Sequence, residues 1–134
     1  MLVLDASVAL SWLLPDEHHA HALHVRDRIT SARAHVTNFW RCEILNALLM
    51  AGRRKRYDLS RLNEDTRALA LLPIDMDEET WTHAWSEAAR LAQTHRLTAY
   101  DAAYLELAKR LGCPLATFDG ELAAAARAVN VALL

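Results

Sequence analysis

Short apolar segments alternate along this chain with longer segments in which apolar residues recur at helical spacing. The short segments span residues 2–4, 35–37, 74–76, 115–118 and 131–134. A strand buried on both faces is a continuous apolar run, and helices between such strands favour parallel pairing with both faces of the sheet covered. The sequence therefore predicts an α/β fold, a three-layer sandwich around a short central parallel sheet, with residues 131–134 as a last edge strand.

Helix boundaries are marked by residues with a clear chemical effect. Pro15 and Pro73 end two helices, and Gly112 occupies the C′ position of a third. Thr98 and Asn38 are predicted N-caps. The predicted helices span residues 6–14, 17–31, 39–50, 59–72, 78–95, 99–111 and 121–129. The helix over 39–50 is apolar nearly all round, which predicts a central position.

Length and charge limit the classes of protein to consider. A chain of 134 residues can bury a real core, so one domain over residues 1–134 is expected. A formal charge of -2 argues against binding nucleic acid over the whole surface, so such a substrate would need a local basic patch and a metal ion. Cys42 and Cys113 lack zinc-site spacing and are expected to be reduced, structural thiols. With no secretory or membrane-spanning segment recognised, a cytoplasmic protein without membrane contact is expected.

Four carboxylates lie in apolar surroundings at positions far apart in the sequence. Asp5 and Asp119 each follow a predicted strand, while Glu43 and Asp101 lie on predicted helices among apolar residues. A buried ionised carboxylate is costly unless it is neutralised or meets a cation. In open α/β sheets, ligands bind at the carboxyl ends of the strands. The set predicts a hard divalent ion, Mg²⁺ or Mn²⁺, and the hydrolysis of phosphodiesters by a metal-bound water.

Three of these carboxylates also have a simpler structural explanation. Asp5 and Asp119 precede helices and fit the N-cap position or a turn. Asp101 lies three residues after Thr98, as an acid does in a capping box. Taken singly, Asp5 and Asp101 are explained about as well by capping as by metal binding, and Asp119 is explained better by a turn or an N-cap.

The remaining carboxylate, Glu43, has a different alternative explanation. It would be a buried acid paired with Arg41 or Asn46. The four together change the balance, because crowded carboxylates repel one another unless a cation offsets their charge. Ser7 and Thr117 are expected to place hydroxyl groups beside this cluster.

Four segments of the sequence, each containing one of these acids, resemble the motifs of PIN-domain ribonucleases, and within that family the VapC toxins of bacterial toxin-antitoxin pairs. The resemblance extends over nearly the whole chain, and the four motifs together are specific. The matching segments are Val3–Leu10 with Trp12–Glu17, Glu43–Leu48, Leu97–Leu105 and Leu115–Asp119.

The resemblance implies a Rossmann-like PIN fold and endonucleolytic cleavage of RNA. It implies a catalytic Mg²⁺ or Mn²⁺ site built by Asp5, Glu43, Asp101 and Asp119. It further implies inhibition by a VapB-type antitoxin, a segment of which lies in the toxin groove and blocks the acidic site, with toxin homodimers inside the hetero-oligomeric complex.

Three other functions stay open at this stage. The PIN fold also serves RNA-processing nucleases, so a housekeeping nuclease is one alternative. A catalytically silent module whose acids receive a basic peptide is a second. A phospho-receiver or phosphatase is least favoured, because the paired N-terminal acids that such sites need are absent around Asp5.

Two further clusters have weaker functional interpretations. The histidines His18, His19, His21 and His24 are predicted to form a solvated helix face, because no partner is spaced to complete a metal site. The basic run 53–56 would suit RNA phosphates, and it would equally suit the dipole of a helix C-terminus.

The four tryptophans of the chain are predicted to be core or dimer contacts, in preference to platforms that stack on bases. They are Trp12, Trp40, Trp81 and Trp85.

Overall fold

The computed structural model describes residues 1–15 and 20–134, and within them four strands pair in parallel. The strands are β1 (Leu2–Leu4), β2 (Ala34–Val36), β3 (Ile74–Met76) and β4 (Leu115–Ala116). Their order across the sheet is β3-β2-β1-β4. All three residues of β1 are fully buried, so both faces of this inner strand are covered. The predicted α/β fold with a short parallel sheet is confirmed.

Helices account for most of the remaining described chain. They are α1 (Ala6–Leu13), α2 (Ala20–Ser31), α3 (Trp40–Arg53), α4 (Leu62–Ala70), α5 (Thr80–His83), α6 (Ala89–His95), α7 (Ala99–Leu111) and α8 (Gly120–Ala128). A 3₁₀ turn over Leu59–Arg61 precedes α4, and a π-helical segment over Ala84–Ala88 joins α5 to α6. The start of the helix predicted over 17–31 lies outside the described residues. In residues 1–15 and 20–134, no helix is long and apolar enough to cross a membrane.

Two predicted strands are shorter than the apolar pattern suggested. The strand predicted over 115–118 ends at Ala116. The next residue, Thr117, donates its side-chain hydroxyl to Asp5. The edge strand predicted over 131–134 is reduced to a single parallel bridge between Leu115 and Leu133. Because β4 ends at Ala116, the chain that follows it turns toward the end of β1, where Asp5 lies.

The prediction that Asn38 caps α3 is wrong. Phe39 occupies the N-cap position, and no side chain makes a capping hydrogen bond there. The backbone N–H of Asn38 instead donates to the Thr80 hydroxyl at 3.3 Å. The Trp40 N–H closes the turn into the helix by donating to the Thr37 carbonyl at 3.1 Å.

The most buried helix is α7, and the prediction that α3 would be central is therefore corrected. Every residue from Ala102 to Ala108 of α7 is buried. On α3, Leu45 and Met50 are exposed, while Ile44 and Leu48 face the core. The apolar surface of α3 is thus divided between the core and the outside.

The tryptophans divide in the same way. Trp40 is buried, and the Trp12 indole packs against the core while its N–H donates to the Ala22 carbonyl at 2.8 Å. Trp81 and Trp85 are 66% and 98% exposed, so the core role predicted for them is wrong. Their role as dimer contacts stays a prediction.

An ion network fixes α7 against the segment between β3 and α5. The Arg110 guanidinium donates to Glu106 at 2.8 Å within α7 and to Asp77 at 2.9 Å across the interface. It also donates to Glu79 at 3.1 Å. Glu106 and Asp77 are almost fully buried, so the network holds two carboxylates that have little access to water.

We expect the Arg110→Met substitution to lower the free energy of unfolding by about 2–4 kcal/mol, because it leaves buried carboxylates without their cation. The Arg33→Met variant is a matched control. It breaks an exposed ion pair with Asp75 and should cost less than about 1 kcal/mol. Urea denaturation measures both, and equal losses in the two variants would contradict this account.

Candidate active site

The four carboxylates predicted from the sequence line one open pocket of about 560 Å³. Asp5 directly follows β1, and Asp119 follows β4 at the start of α8. Glu43 and Asp101 belong to the first turns of α3 and α7. The pocket therefore lies at the carboxyl ends of parallel strands, as expected for a ligand site in an open α/β sheet. Asp5 and Asp101, 96 positions apart in the sequence, share this pocket.

Asp5 is the most buried of the four, with 5% of its surface exposed. It stands at the N-cap position of α1, yet its side chain makes no capping hydrogen bond. One oxygen, Oδ2, instead accepts hydrogen bonds from the Ser7 and Thr117 hydroxyls, both at 2.6 Å. The expected hydroxyl neighbours are confirmed, and the capping explanation for this residue is not supported.

The two hydroxyls hold Asp5 in a fixed orientation because their acceptor sites are also occupied. Ser7 Oγ accepts from the Phe118 N–H at 3.0 Å, and Thr117 Oγ1 accepts from the Asp119 N–H at 3.0 Å. The hydroxyl protons are therefore directed to the carboxylate. The same bonds tie the chain after β4 to the end of β1.

Glu43 is held by a residue that the sequence analysis did not single out. The Tyr104 hydroxyl donates to Glu43 Oε2. The expected partners, Arg41 and Asn46, are both exposed, and the tyrosine takes their predicted place. In the sequence, Tyr104 could have been noticed as a residue with a polar hydroxyl among apolar neighbours, one helical turn after Asp101.

Asp101 and Asp119 both lie at helix N-termini and line the pocket. The Thr98 hydroxyl accepts from the Asp101 N–H at 3.1 Å, so the predicted cap of α7 is confirmed. Asp119 Oδ1 accepts from the Leu122 N–H at 2.7 Å and caps α8. Capping by Asp119 occupies one carboxylate oxygen and leaves Oδ2 for the pocket.

Burial and mutual repulsion make the protonated forms of these acids more favourable. Burial is the largest cause of the raised pKa of Asp5, Glu43 and Asp101, and it raises the pKa of Glu43 to about 7. The carboxylates of the same pocket add to each of these shifts. Within the described residues, no lysine or arginine is seen paired with any of the four, so either protonation or a cation from outside would offset their charge.

The donor chemistry of the pocket fits a hard divalent ion. Carboxylate oxygens are the ligands that Mg²⁺ and Mn²⁺ prefer, and Mg²⁺ keeps several waters and needs only one or two carboxylates. Among residues 1–15 and 20–134, no group of three or more His, Cys, Asp or Glu side chains is arranged as a ready metal site.

Aromatic rings form one side of the acidic pocket. The Phe39 ring meets Tyr100 edge-on at 5.3 Å and Tyr104 at 6.0 Å between ring centroids. Tyr100 and Phe39 both line the pocket, and Tyr100 is 58% exposed. Edge-to-face packing of this kind favours these ring orientations by about 0.5–1.5 kcal/mol per pair.

The described histidines of the cluster behave as predicted. His21 and His24 are exposed, and a His21 ring nitrogen lies 2.8 Å from the Leu134 carbonyl oxygen. His18 and His19 lie outside the described residues. Cys42 is exposed, Cys113 is buried, and neither forms a disulfide.

A short parallel sheet with a carboxylate-lined pocket at its strand ends defines a Rossmann-like α/β protein with a candidate metal site. The family model described as PIN domain matches residues 2–128. The chain therefore belongs to the PIN domain family, and within it to the VapC type, as its relatives show.

Relatives resemble the chain over most of its length. It is 31% identical over 133 residues to Ribonuclease VapC3 of Pyrobaculum aerophilum, covering 91% of this chain and 92% of that protein. The crystal structure of PAE2754 from the same organism has a TM-score of 0.69 and 25% identity, covering 92% of this chain and 84% of the other. The crystal structure of FitAcB from Neisseria gonorrhoeae has a TM-score of 0.64 and 26% identity, covering 100% and 96%.

We expect the stability of the metal-free protein to depend on Glu43 above its unfolded-state pKa of 4.5. Because the folded-state pKa is raised to about 7, the charged form destabilises the fold, and this cost grows from pH 4.5 to 7. The Glu43→Gln variant cannot ionise, yet it keeps an oxygen that accepts from Tyr104. Its Tm in EDTA should exceed that of the wild type by roughly 3–6 °C above pH 7, after allowance for partial exposure.

The difference in Tm between the two proteins should disappear below about pH 4.5, where both states of the wild type are protonated at Glu43. Thermal scans from pH 4 to 8 measure it. A difference that is the same at every pH would show that charge on Glu43 is not its cause.

Proposed function

We propose that residues 1–134 act as a single PIN domain, a metal-dependent endoribonuclease that serves as the toxin of a toxin-antitoxin pair. The observation that carries the proposal is the meeting of four carboxylates from distant segments in one pocket. Two further facts support it: the chain belongs to the PIN domain family, and a relative similar over nearly its whole length is named a ribonuclease.

In this proposal Asp5 and Asp101 are the chief metal ligands, and Glu43 and Asp119 complete the ligand set or orient the attacking water. Mg²⁺, with Mn²⁺ as a substitute, would supply an acidic bound water and offset charge on the phosphate oxygens. The chain's own contribution is orientation. Hydroxyl bonds fix Asp5, a phenol fixes Glu43, and capping of α8 fixes Asp119. Such preorganisation reduces the reorganisation needed at the reacting phosphate.

RNA binding needs positive charge, because the chain has a net charge of -2 and the pocket is acidic. The basic run 53–56 begins at the last residue of α3, the helix whose first turn holds Glu43. We propose that this run contacts RNA phosphates beyond the site of cleavage. Its position at a helix C-terminus favours the same charges, so the two roles reinforce each other.

The proposed partners are a VapB-type antitoxin and a second copy of the chain, in a hetero-oligomer in the cytoplasm. A segment of the antitoxin would block the acidic pocket, and an apolar groove of about 610 Å³ between α3, α4 and β3, separate from that pocket, offers a place for another part of it. Ile44, Leu45 and Leu69 are among the residues that line it. The exposed Trp81 and Trp85 offer an apolar surface for the second copy.

We expect Asp5→Asn and Asp101→Asn to abolish Mg²⁺-dependent RNA cleavage, with a loss of at least about 100-fold. Each change removes a charged ligand at nearly constant size. The matched control is Asp75→Asn, which removes an exposed carboxylate on β3 that pairs with Arg33 and should leave the rate unchanged. Cleavage of a labelled RNA with and without EDTA measures the effect. Metal-dependent activity retained by folded Asp5→Asn protein would overturn the proposal.

Expression of the wild-type chain should arrest bacterial growth if the nuclease is a toxin. A short protein encoded by the neighbouring reading frame should relieve the arrest, and the Asp5→Asn variant should not cause it. Growth curves of the three strains measure this. RNA cleavage in vitro without growth arrest would instead favour a housekeeping nuclease.

A further inference from the structure

Tyr104 lies in the middle of the buried part of α7. Its hydroxyl contacts a residue of the acidic pocket. Tyr104 has no exposed surface, and its hydroxyl donates to Glu43 Oε2. A hydrogen bond to an ionised carboxylate is roughly twice as strong as one between neutral groups. The bond joins two residues 61 positions apart and therefore links α7 to α3.

Tyr104 lies one helical turn after Asp101 on the same helix. Residues three apart on a helix are neighbours on its surface, so both side chains leave α7 on the pocket side. The helix thus supplies one proposed ligand directly and the group that holds a second ligand. This stretch of α7 is buried throughout, so the Tyr104 ring is surrounded by packed neighbours.

The Tyr104 ring is also held from the α3 side. Phe39, which occupies the N-cap position of α3, packs edge-on against Tyr104 at 6.0 Å and 78°. Glu43 follows Phe39 by one helical turn, and its N–H donates to the Phe39 carbonyl at 3.1 Å. The ring and the carboxylate that it binds are therefore positioned by the same turn of α3.

The phenol opposes a force that acts on Glu43 in the pocket. The charges of Asp5 and Asp101 repel the Glu43 carboxylate, and a glutamate side chain has enough rotatable bonds to move away from them. The hydrogen bond to Oε2 resists that movement. It also commits one oxygen and leaves Oε1 for a cation or a water.

We propose that Tyr104 is a positioning residue of the nuclease site, which holds Glu43 in the pocket with one carboxylate oxygen free to act. The proposal rests on the proposed function, since it assigns Glu43 a role with the divalent ion. Tyr104 acts through Glu43 and touches neither the ion nor the RNA. Replacement of a residue that orients a metal ligand in this way typically lowers the metal affinity 10–100-fold.

The first experiment measures Mn²⁺ affinity by electron paramagnetic resonance on the whole protein, beside the rate of RNA cleavage. Tyr104→Phe keeps the ring and deletes only the hydroxyl, and it should bind Mn²⁺ roughly 10–100-fold more weakly. Tyr57→Phe is the matched control. It deletes another buried tyrosine hydroxyl, which donates to Asp65 at 2.6 Å, and neither residue lines the acidic pocket. This control should bind Mn²⁺ as the wild type does.

A double-mutant cycle separates positioning from a general structural effect. If Tyr104 acts through Glu43, the Tyr104→Phe change should cost no further Mn²⁺ affinity in a Glu43→Gln background. If the two losses multiply as independent effects, Tyr104 does not act through Glu43 and the proposal is wrong.

A measurement on the unmutated chain covers the case in which Tyr104→Phe does not fold. The three tyrosines can be labelled with ¹³C at Cζ, and Tyr57→Phe and Tyr100→Phe assign their resonances. Titration with Mg²⁺ should shift the Tyr104 resonance and leave that of Tyr57 in place. An unshifted Tyr104 resonance at saturating Mg²⁺ would overturn the proposal.

The outcomes distinguish this proposal from the function on which it rests. If the wild type neither binds Mn²⁺ nor cleaves RNA, the proposed function fails and this inference fails with it. If the wild type does both and Tyr104→Phe matches it in affinity, only the role of Tyr104 is overturned.

Discussion

Repulsion between four carboxylates determines how the surroundings of the acidic pocket are built. Four acids share a partly buried pocket with no basic side chain of the described residues paired to them, and burial raises the pKa of Asp5, Glu43 and Asp101. A fold tolerates such a cluster only if other bonds prevent the acids from moving apart. The hydroxyls of Ser7 and Thr117 supply such bonds. Without a cation, the burial of this cluster lowers the stability of the fold.

The helix α7 contributes to the acidic pocket and to the stability of the fold. Its first turn presents Asp101, its middle holds Glu43 through Tyr104, and its last turn is anchored by Arg110 to the segment after β3. Because α7 is buried along its middle, a tilt of this helix would disturb both the Tyr104–Glu43 hydrogen bond and the Arg110 ion network. Stability and site geometry are therefore coupled through one element, and substitutions in its core should affect both.

The sequence predicted the parallel sheet and the meeting of the four acids, because both follow from local patterns repeated along the chain. It misplaced details that depend on tertiary contacts. Asn38 was predicted to cap α3, but its backbone N–H donates to Thr80. The sequence also did not show which apolar residues of α3 face the core, because that depends on the elements packed against this helix. Tyr104 was missed because a tyrosine in an apolar helix is usually a core residue, and only the fold shows Glu43 beside it.

The hydrogen bond between Thr117 and Asp5 has a consequence for synthesis of the chain. It joins residues separated by 112 positions, and Asp119 follows Thr117 closely. A nascent polypeptide that still lacks this last segment has neither the hydroxyl that orients the first acid nor the fourth acid itself. The pocket therefore cannot be completed until residues 117–119 have been synthesised and have folded back onto the end of β1.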